Sequence, residues 1–335
     1  MKATTIIGAL FSIAEAVKVP STGTTSLRQE AAKKNILFGS GAINPSYLED
    51  AQFRAVLARE FNSISPENEL KWSFIHPTKN HFDWPLIDRL VDFAEANNMV
   101  VKGHGLISTC CDPSYLLNMT EPKALLAEMK SHFEAIMHRY RDKVDRWDVI
   151  TEALETNGTE LQHTFYYNVL GPDYVEHAFR IARAADGNAK LFLNENLVEV
   201  LPMKRQALYQ WVTKMVAKGV PIDGIALQMH ITEVAPQPGV IAEMVNSYKA
   251  LGLEVSIAEL DVHTLNTTLQ TEIYGTVVKE ALDTGITDIN FWGFTDKHLY
   301  TWLPGAKPLM FNETYYPKGA FYSTHNTLAD FVKKP

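Results

Sequence analysis

A chain of 335 residues with 46% hydrophobic and 21% charged side chains can bury a sizeable core, which sets disorder aside. Its formal charge is −8 and its Lys and Arg residues are scattered, so there is no basic footprint for nucleic acid. The length suits two ordinary domains or one α/β barrel, and no Pro/Gly/Ser linker divides the chain after its N-terminal segment, which favours one domain.

Lys2, a short apolar stretch from Ala3 to Ala14 and the small-residue pattern Ala14-Glu15-Ala16 read as a secretory signal peptide over residues 1–16. The stretch falls short of the roughly 20 apolar residues of a membrane span, and the polar run from Pro20 to Lys34 has no stop-transfer character. Residues 17–34 read as an N-terminal segment and 35–335 as the folded domain. Sequons at Asn118, Asn157, Asn266 and Asn312 agree with a secreted, extracellular glycoprotein. The only cysteines, Cys110 and Cys111, are adjacent and cannot tie distant segments together. They are either two small buried thiols or a vicinal disulfide.

Eight short stretches rich in Val, Ile and Phe then alternate with segments of helical period. The strands are expected near Ile36 to Ala42, Phe61 to Glu67, Met99 to Leu106, Asp145 to Glu152, Ala189 to Asn196, Gly224 to His230, Glu254 to Asp261 and Asp288 to Phe294. The clearest helices are Glu121 to Tyr140 and Met203 to Lys218, where apolar residues return at three and four positions. Strand then helix, eight times, with no Gly-rich phosphate loop, predicts a single-domain (β/α)₈ TIM barrel rather than a doubly wound sheet.

Barrel chemistry sits at the C-terminal strand ends, and here seven of the eight carry polar groups. Strand two ends in Glu67, Asn68, Glu69, Lys71 and Trp72, strand three holds His104, and strand four ends in Thr151-Glu152. Strand five ends in Asn194-Glu195-Asn196, strand six in Gln228 and His230, strand seven in Glu259 and Asp261, and strand eight in the run Trp292 to Lys297. Any one of these reads as a solvated loop start. Together, around one mouth, they suit a polyhydroxylated ligand. There is no metal-ligand spacing and no G-x-S-x-G elbow, so neither a metal nor another cofactor is expected. Glu152 and Glu259 would face each other across the mouth, which is the arrangement glycoside hydrolysis needs.

The residues that carry this pattern resemble the family 10 glycoside hydrolases, mostly retaining endo-β-1,4-xylanases on a (β/α)₈ barrel. The matching pieces begin with Pro-Glu-Asn-Glu-Leu-Lys-Trp (66–72), Lys-Gly-His-Gly-Leu (102–106), Trp-Asp-Val-Ile-Thr-Glu-Ala-Leu (147–154) and Pro-Ile-Asp-Gly-Ile (221–225). Leu-Gln-Met-His (227–230), Ile-Ala-Glu-Leu-Asp (257–261), Trp-Gly-Phe-Thr-Asp-Lys (292–297) and Pro-Leu-Met-Phe-Asn-Glu (308–313) follow in family order. The resemblance implies that Glu152 is the acid/base and Glu259 the nucleophile. It implies that Glu67, Asn68 and Lys71 bind glycone hydroxyls beside His104, that His230, held by Asp261, fixes the nucleophile, and that Gln228 and Trp292 complete the floor. Donors from Gln228 and His230 are expected to keep Glu259 ionised.

Two departures from the family pattern stand out. Thr151 replaces the Asn that normally precedes the acid/base and bonds the sugar 2-hydroxyl, and Ser108-Thr109-Cys110-Cys111 replaces a Trp-His-Ser-Gln wall. Both alter the site around the reactive sugar, and the opened wall makes room for a hexose. The chain is accordingly similar to the fungal tomatinase branch, which removes the tetrasaccharide of the glycoalkaloid α-tomatine. An endo-β-1,4-xylanase is the alternative, and a non-catalytic carbohydrate-binding barrel the second. Tyr300 and Trp302 compete to cap the reactive sugar, with Trp302 preferred. Tyr166, Tyr167 and Met229 could line a steroid side, or be loop and core packing. The expected partner is a carbohydrate or glycoalkaloid substrate, with no nucleic acid, no membrane and a monomeric protein.

Overall fold

The computed structural model describes residues 17–232 and 234–332, so the expected signal peptide at 1–16 lies outside the described residues. Eight strands form the barrel: β1 Leu37–Ile43, β2 Ser63–Pro66, β3 Val100–Ile107 and β4 Val144–Thr151. They continue as β5 Lys190–Glu195, β6 Gly224–Leu227, β7 Glu254–Val262 and β8 Asp288–Phe291. Each pairs in parallel with the next. The ring closes where Leu37 to Ser40 of β1 pair with Asp288 to Phe291 of β8. One main helix follows each strand, from Ala51–Glu60 after β1 to Gly319–Asp330 after β8. This is the (β/α)₈ barrel expected, with strand boundaries shifted by at most three residues.

Local chemistry explains where the helices begin. Pro85, Pro122 and Pro202 occupy the first helical position, where a preset φ helps and the missing N–H costs nothing. Ser26 and Gln29 form a capping box on the short helix Leu27–Ala32. That helix is docked rather than loose. Leu27 and Ala31 are buried, and the Arg28 guanidinium donates to the carbonyls of Ala58, Phe61, Asn97 and Asn98, which precede β2 and β3. The N-terminal segment therefore covers the bottom of the barrel, away from the catalytic mouth.

The apolar core lies between strands and helices, where Phe38, Phe53, Phe61, Phe291 and Phe294 meet ring to ring. Inside the strands the barrel is polar: Ser65, Lys102, Arg146, Ser256, Asp288 and Asn290 line its interior below the mouth. Asp288 bonds both the Lys102 ammonium and the Arg146 guanidinium. Burial pulls the Lys102 pKa down, opposed by the Asp288 charge. A buried ion cluster of this kind is worth little against a hydrophobic core, but removing one partner strands the others.

Asp288→Asn is thus expected to cost about 3–5 kcal/mol, the usual cost of breaking a buried pair. Urea unfolding at neutral pH measures it. A loss below about 1 kcal/mol would show that Lys102 and Arg146 find other partners.

Candidate active site

Register irregularities surround the mouth. β3 carries an extra residue between His104 and Ile107, β4 between Asp148 and Ile150, and β7 between Ile257 and Leu260. The β7 bulge breaks the two-residue alternation, so that Glu259 faces the interior beside Ser256 and Ala258. Glu152 follows β4 with a left-handed backbone, φ +58°, uncommon for a residue with a Cβ. Its N–H donates to Asn194 O at 2.8 Å, which ends the strand and stands the carboxylate over the mouth. The sixth strand, expected to run to His230, breaks after Leu227. Met229 turns left-handed at φ +66° and is fully buried, and His230–Ile231 then pair separately with Asp261 and Val262.

Glu259 is the buried centre of the site. His230 Nε2 lies 3.1 Å from Oε2, Asn194 Nδ2 donates to Oε1 at 2.7 Å, and His104 Nδ1 stands 3.7 Å from Oε1. Burial alone would raise its pKa. The influence of His104, the bond and charge of His230 and the Asn194 amide outweigh that and lower it from the ordinary 4.5 to about 2. For His230, burial disfavours the charge, but Asp261 at 2.9 Å and Glu259 raise its pKa well above the usual imidazole value. His230 therefore stands between two carboxylates that both favour its charged form.

The other expected residues gather around this centre. Gln228 Nε2 donates to Glu152 Oε1 at 3.1 Å and to Asn194 Oδ1 at 3.0 Å, so two amides bridge the two glutamates. Gln228 was expected to donate to Glu259. Its amide reaches Glu152 instead, because Asn194 from β5 occupies the near oxygen of Glu259. Lys71 donates to Asn68 Oδ1 at 3.0 Å and feels the charges of Glu259, Glu67 and Glu152, although burial dominates and lowers its pKa. Asn44 holds Glu67 at 3.4 Å. Trp292 meets the His104 ring edge-on, while Trp302 packs against His230 at 4.9 Å and His263 at 4.4 Å. Tyr300 lies outside Trp302 and is more exposed.

The two departures take definite form. The Thr151 hydroxyl donates to Ile107 O at 3.3 Å, turned to the β3 backbone. Cys110 and Cys111 are joined in a vicinal disulfide. The pair is not buried: Cys110 is exposed and Cys111 half-buried. Of the residues considered for a steroid side, Tyr166 and Met229 are fully buried, and Tyr167 stacks on His163. The first two are core.

Sequence reasoning named Asn194 and Thr109 without giving either a role, and gave none to Asp148 or His263. Asp148 takes His104 Nδ1 at 2.9 Å and Asn194 Nδ2 at 3.1 Å. His263 Nε2 lies 2.9 Å from Asp261 Oδ1 but off the hydrogen-bond axis, while its Nδ1 meets Thr301 Oγ1. Asn194 was visible in a polar strand end. Asp148, deep in β4, gave no such signal. Within the two acid–imidazole groups, His230 is bonded to Asp261 and His104 to Asp148, both at 2.9 Å, while His263 stands beside Asp261 and Glu259 beside His104.

A parallel barrel whose mouth joins two strand-end glutamates through amides is that of a glycoside hydrolase. The chain belongs to glycosyl hydrolase family 10, whose sequence model matches residues 26–327, and is an O-glycosyl hydrolase of the retaining kind. It is 33% identical over 324 residues to endo-1,4-β-xylanase B of Thermotoga neapolitana, covering 92% of this chain and 93% of that one. With endo-1,4-β-xylanase 3 of Hypocrea jecorina it shares 30% identity over 299 residues, 89% and 84% of the two chains. Among solved structures, xylanase 10B of Thermotoga maritima superposes with a TM-score of 0.85 at 33% identity, over 90% of this chain and 98% of that one. Xylanase 10B of Thermotoga petrophila RKU-1, in complex with xylobiose, gives 0.85 at 33% identity, over 91% and 97%.

His230→Asn removes one of the three partners that hold Glu259 ionised, the others being His104 and Asn194. A depressed pKa means that the ionised form is lost only as pH falls through about 2. Without the imidazolium that value rises, and the acid limb of kcat/KM moves up by about one pH unit or more. An acid limb that stays in place in the variant contradicts this.

Proposed function

We propose that the protein is a retaining endo-β-1,4-xylanase in which Glu259 attacks the anomeric carbon and Glu152 protonates the departing oxygen. The observation that carries this is the bridged pair, with one glutamate held ionised at the floor and the other standing over the mouth at a turn. Glu259 displaces the leaving group and forms a covalent glycosyl-enzyme. Glu152, having given up its proton, then takes one from the water that hydrolyses this intermediate. Lys71, Asn68 and Glu67 supply fixed partners for glycone hydroxyls, and Trp302 a stacking face half open to solvent. The similarity to xylanases supports xylan over α-tomatine, and the burial of Tyr166 and Met229 removes two supports of a steroid-binding side.

A second reading, cleavage of a hexose-containing β-glycoside such as the tetrasaccharide of α-tomatine, is favoured by two observations. The Thr151 hydroxyl is turned to Ile107, and the Ser108 to Cys111 loop presents no aromatic wall. Secretion is proposed on the signal-like N-terminus and on the exposure of the sequons at Asn118, Asn157 and Asn266.

Product analysis on xylan and on α-tomatine separates the two readings, with Glu259→Gln as the control. Xylo-oligosaccharides from xylan, reduced at least 10⁴-fold in the variant, are the expected result. Tomatidine and intact tetrasaccharide from α-tomatine alone would establish the second reading, and no cleavage of either would make the barrel a binding protein.

A further inference from the structure

The loop after β3 is tied down on three sides. Ser73 N–H, from the segment that follows the Lys71 turn, donates to Cys111 O at 2.7 Å. Tyr166, buried under the next loop, donates to Asp112 Oδ1 at 2.7 Å, and Ser108 Oγ donates to Cys110 O at 3.0 Å. The disulfide closes a small covalent ring across the Cys110–Cys111 peptide, and Cys111 sits at φ +73°, a conformation a free L-residue seldom adopts. The remaining residue, Thr109, is exposed, and its hydroxyl donates to Glu152 Oε2 at 3.4 Å. Gln228 holds the other oxygen, Oε1, at 3.1 Å. The carboxyl of Glu152 is thus gripped at both oxygens, once from β6 and once from this loop.

We infer that Thr109 is a positioning residue for the acid/base, and that the Cys110–Cys111 disulfide holds it against Glu152. The inference rests on the reading of Glu152 as the proton donor. Thr109 makes no other side-chain bond, so its exposed hydroxyl contributes little to the fold. Fixing the plane of the carboxyl keeps the proton aimed at the leaving oxygen instead of at solvent. The disulfide makes this grip sensitive to thiols. A dithiol opens the S–S bond by exchange, its two thiols becoming one disulfide while Cys110 and Cys111 take up two electrons and two protons. The chain has no other cysteine, so any effect of reduction on the protein arises there.

The test uses leaving-group dependence, which a merely structural loss does not change. Phenyl β-xylobioside needs the proton from the acid, whereas 2,4-dinitrophenyl β-xylobioside departs without it. Thr109→Val is expected to lower kcat/KM, which reads the glycosylation step alone, by up to about ten-fold on the phenyl substrate, the size of one hydrogen bond, and to stay within about two-fold of wild type on the dinitrophenyl one. Thr109→Ser restores the phenyl rate. Dithiothreitol on the wild type reproduces the Thr109→Val pattern, and the Cys110→Ser/Cys111→Ser double variant shows that pattern without reductant and ignores the reagent. Glu152→Ala, run alongside, shows the same selectivity more strongly if it is the acid. That selectivity in Glu152→Ala without any in Thr109→Val overturns the inference alone, and its absence from Glu152→Ala overturns the acid assignment with it. A wild type unchanged on both substrates after mass spectrometry shows two free thiols overturns the role of the disulfide.

Discussion

A carboxylate buried below the mouth of a barrel has to stay charged, and most of the site is arranged around that requirement. Desolvation works against the Glu259 anion. It is overcome because three strands each bring a partner to within hydrogen-bond or ion-pair reach: His104 on β3, Asn194 on β5 and His230 beyond β6. Each partner is itself oriented. Asp148 takes the same His104 Nδ1 that stands near Glu259, and also Asn194, while Asp261 takes the far side of His230. Asp261 comes from the same strand as Glu259, so β7 supplies both the carboxylate and the group that orients its His230 partner. Such support is what holds a reacting group within the narrow tolerance that catalysis demands.

The backbone bears the cost of this arrangement. Bulges in β3, β4 and β7 interrupt the ladder beside the site, and Glu152 and Met229 adopt left-handed conformations that cost of order 1–3 kcal/mol each. The surrounding structure holds them there. Glu195, buried against Lys204 at 2.9 Å, accepts from Leu154 N–H at 3.0 Å and so pins the turn that carries Glu152. Adjacent residues of β5 thus have separate tasks, Asn194 within the site and Glu195 behind it. The polar barrel interior continues downward from Glu259 and Asn290 to the Asp288 cluster, while packing energy comes from the ring of helices outside.

Much of the fold was legible because its signals are periodic. Eight apolar strands alternating with helical segments define the barrel, and the two helices placed by periodicity, at Glu121 and Met203, begin within one residue of those positions. Glu152 and Glu259 were legible because they end strands and match a family pattern. What could not be read depends on geometry that alternation does not encode. The bulge between Ile257 and Leu260 turns Glu259 inward beside Ala258, and the kink at Met229 ends a strand that the pattern carries on to His230. The direction of the Gln228 amide depends on Asn194, a residue 34 positions away in the chain. The state of Cys110 and Cys111 follows from the path of the loop, which leaves them at the surface instead of in the core.

Chemistry and specificity therefore reside in separable parts of the mouth. On the proposed reading the charge network around Glu259 belongs to the reaction, whereas Thr151, the Ser108 to Cys111 loop and Trp302 border the space the reactive sugar would fill. The central claim concerns the network: that Glu259 is the group poised to form the covalent intermediate. The most direct measurement is to inactivate the enzyme with 2,4-dinitrophenyl 2-deoxy-2-fluoro-β-xylobioside and to locate the trapped sugar by peptide mass spectrometry. The account predicts one sugar per chain, ester-linked to Glu259, and its absence in Glu259→Gln. A label on Glu152 or on another carboxylate would contradict it.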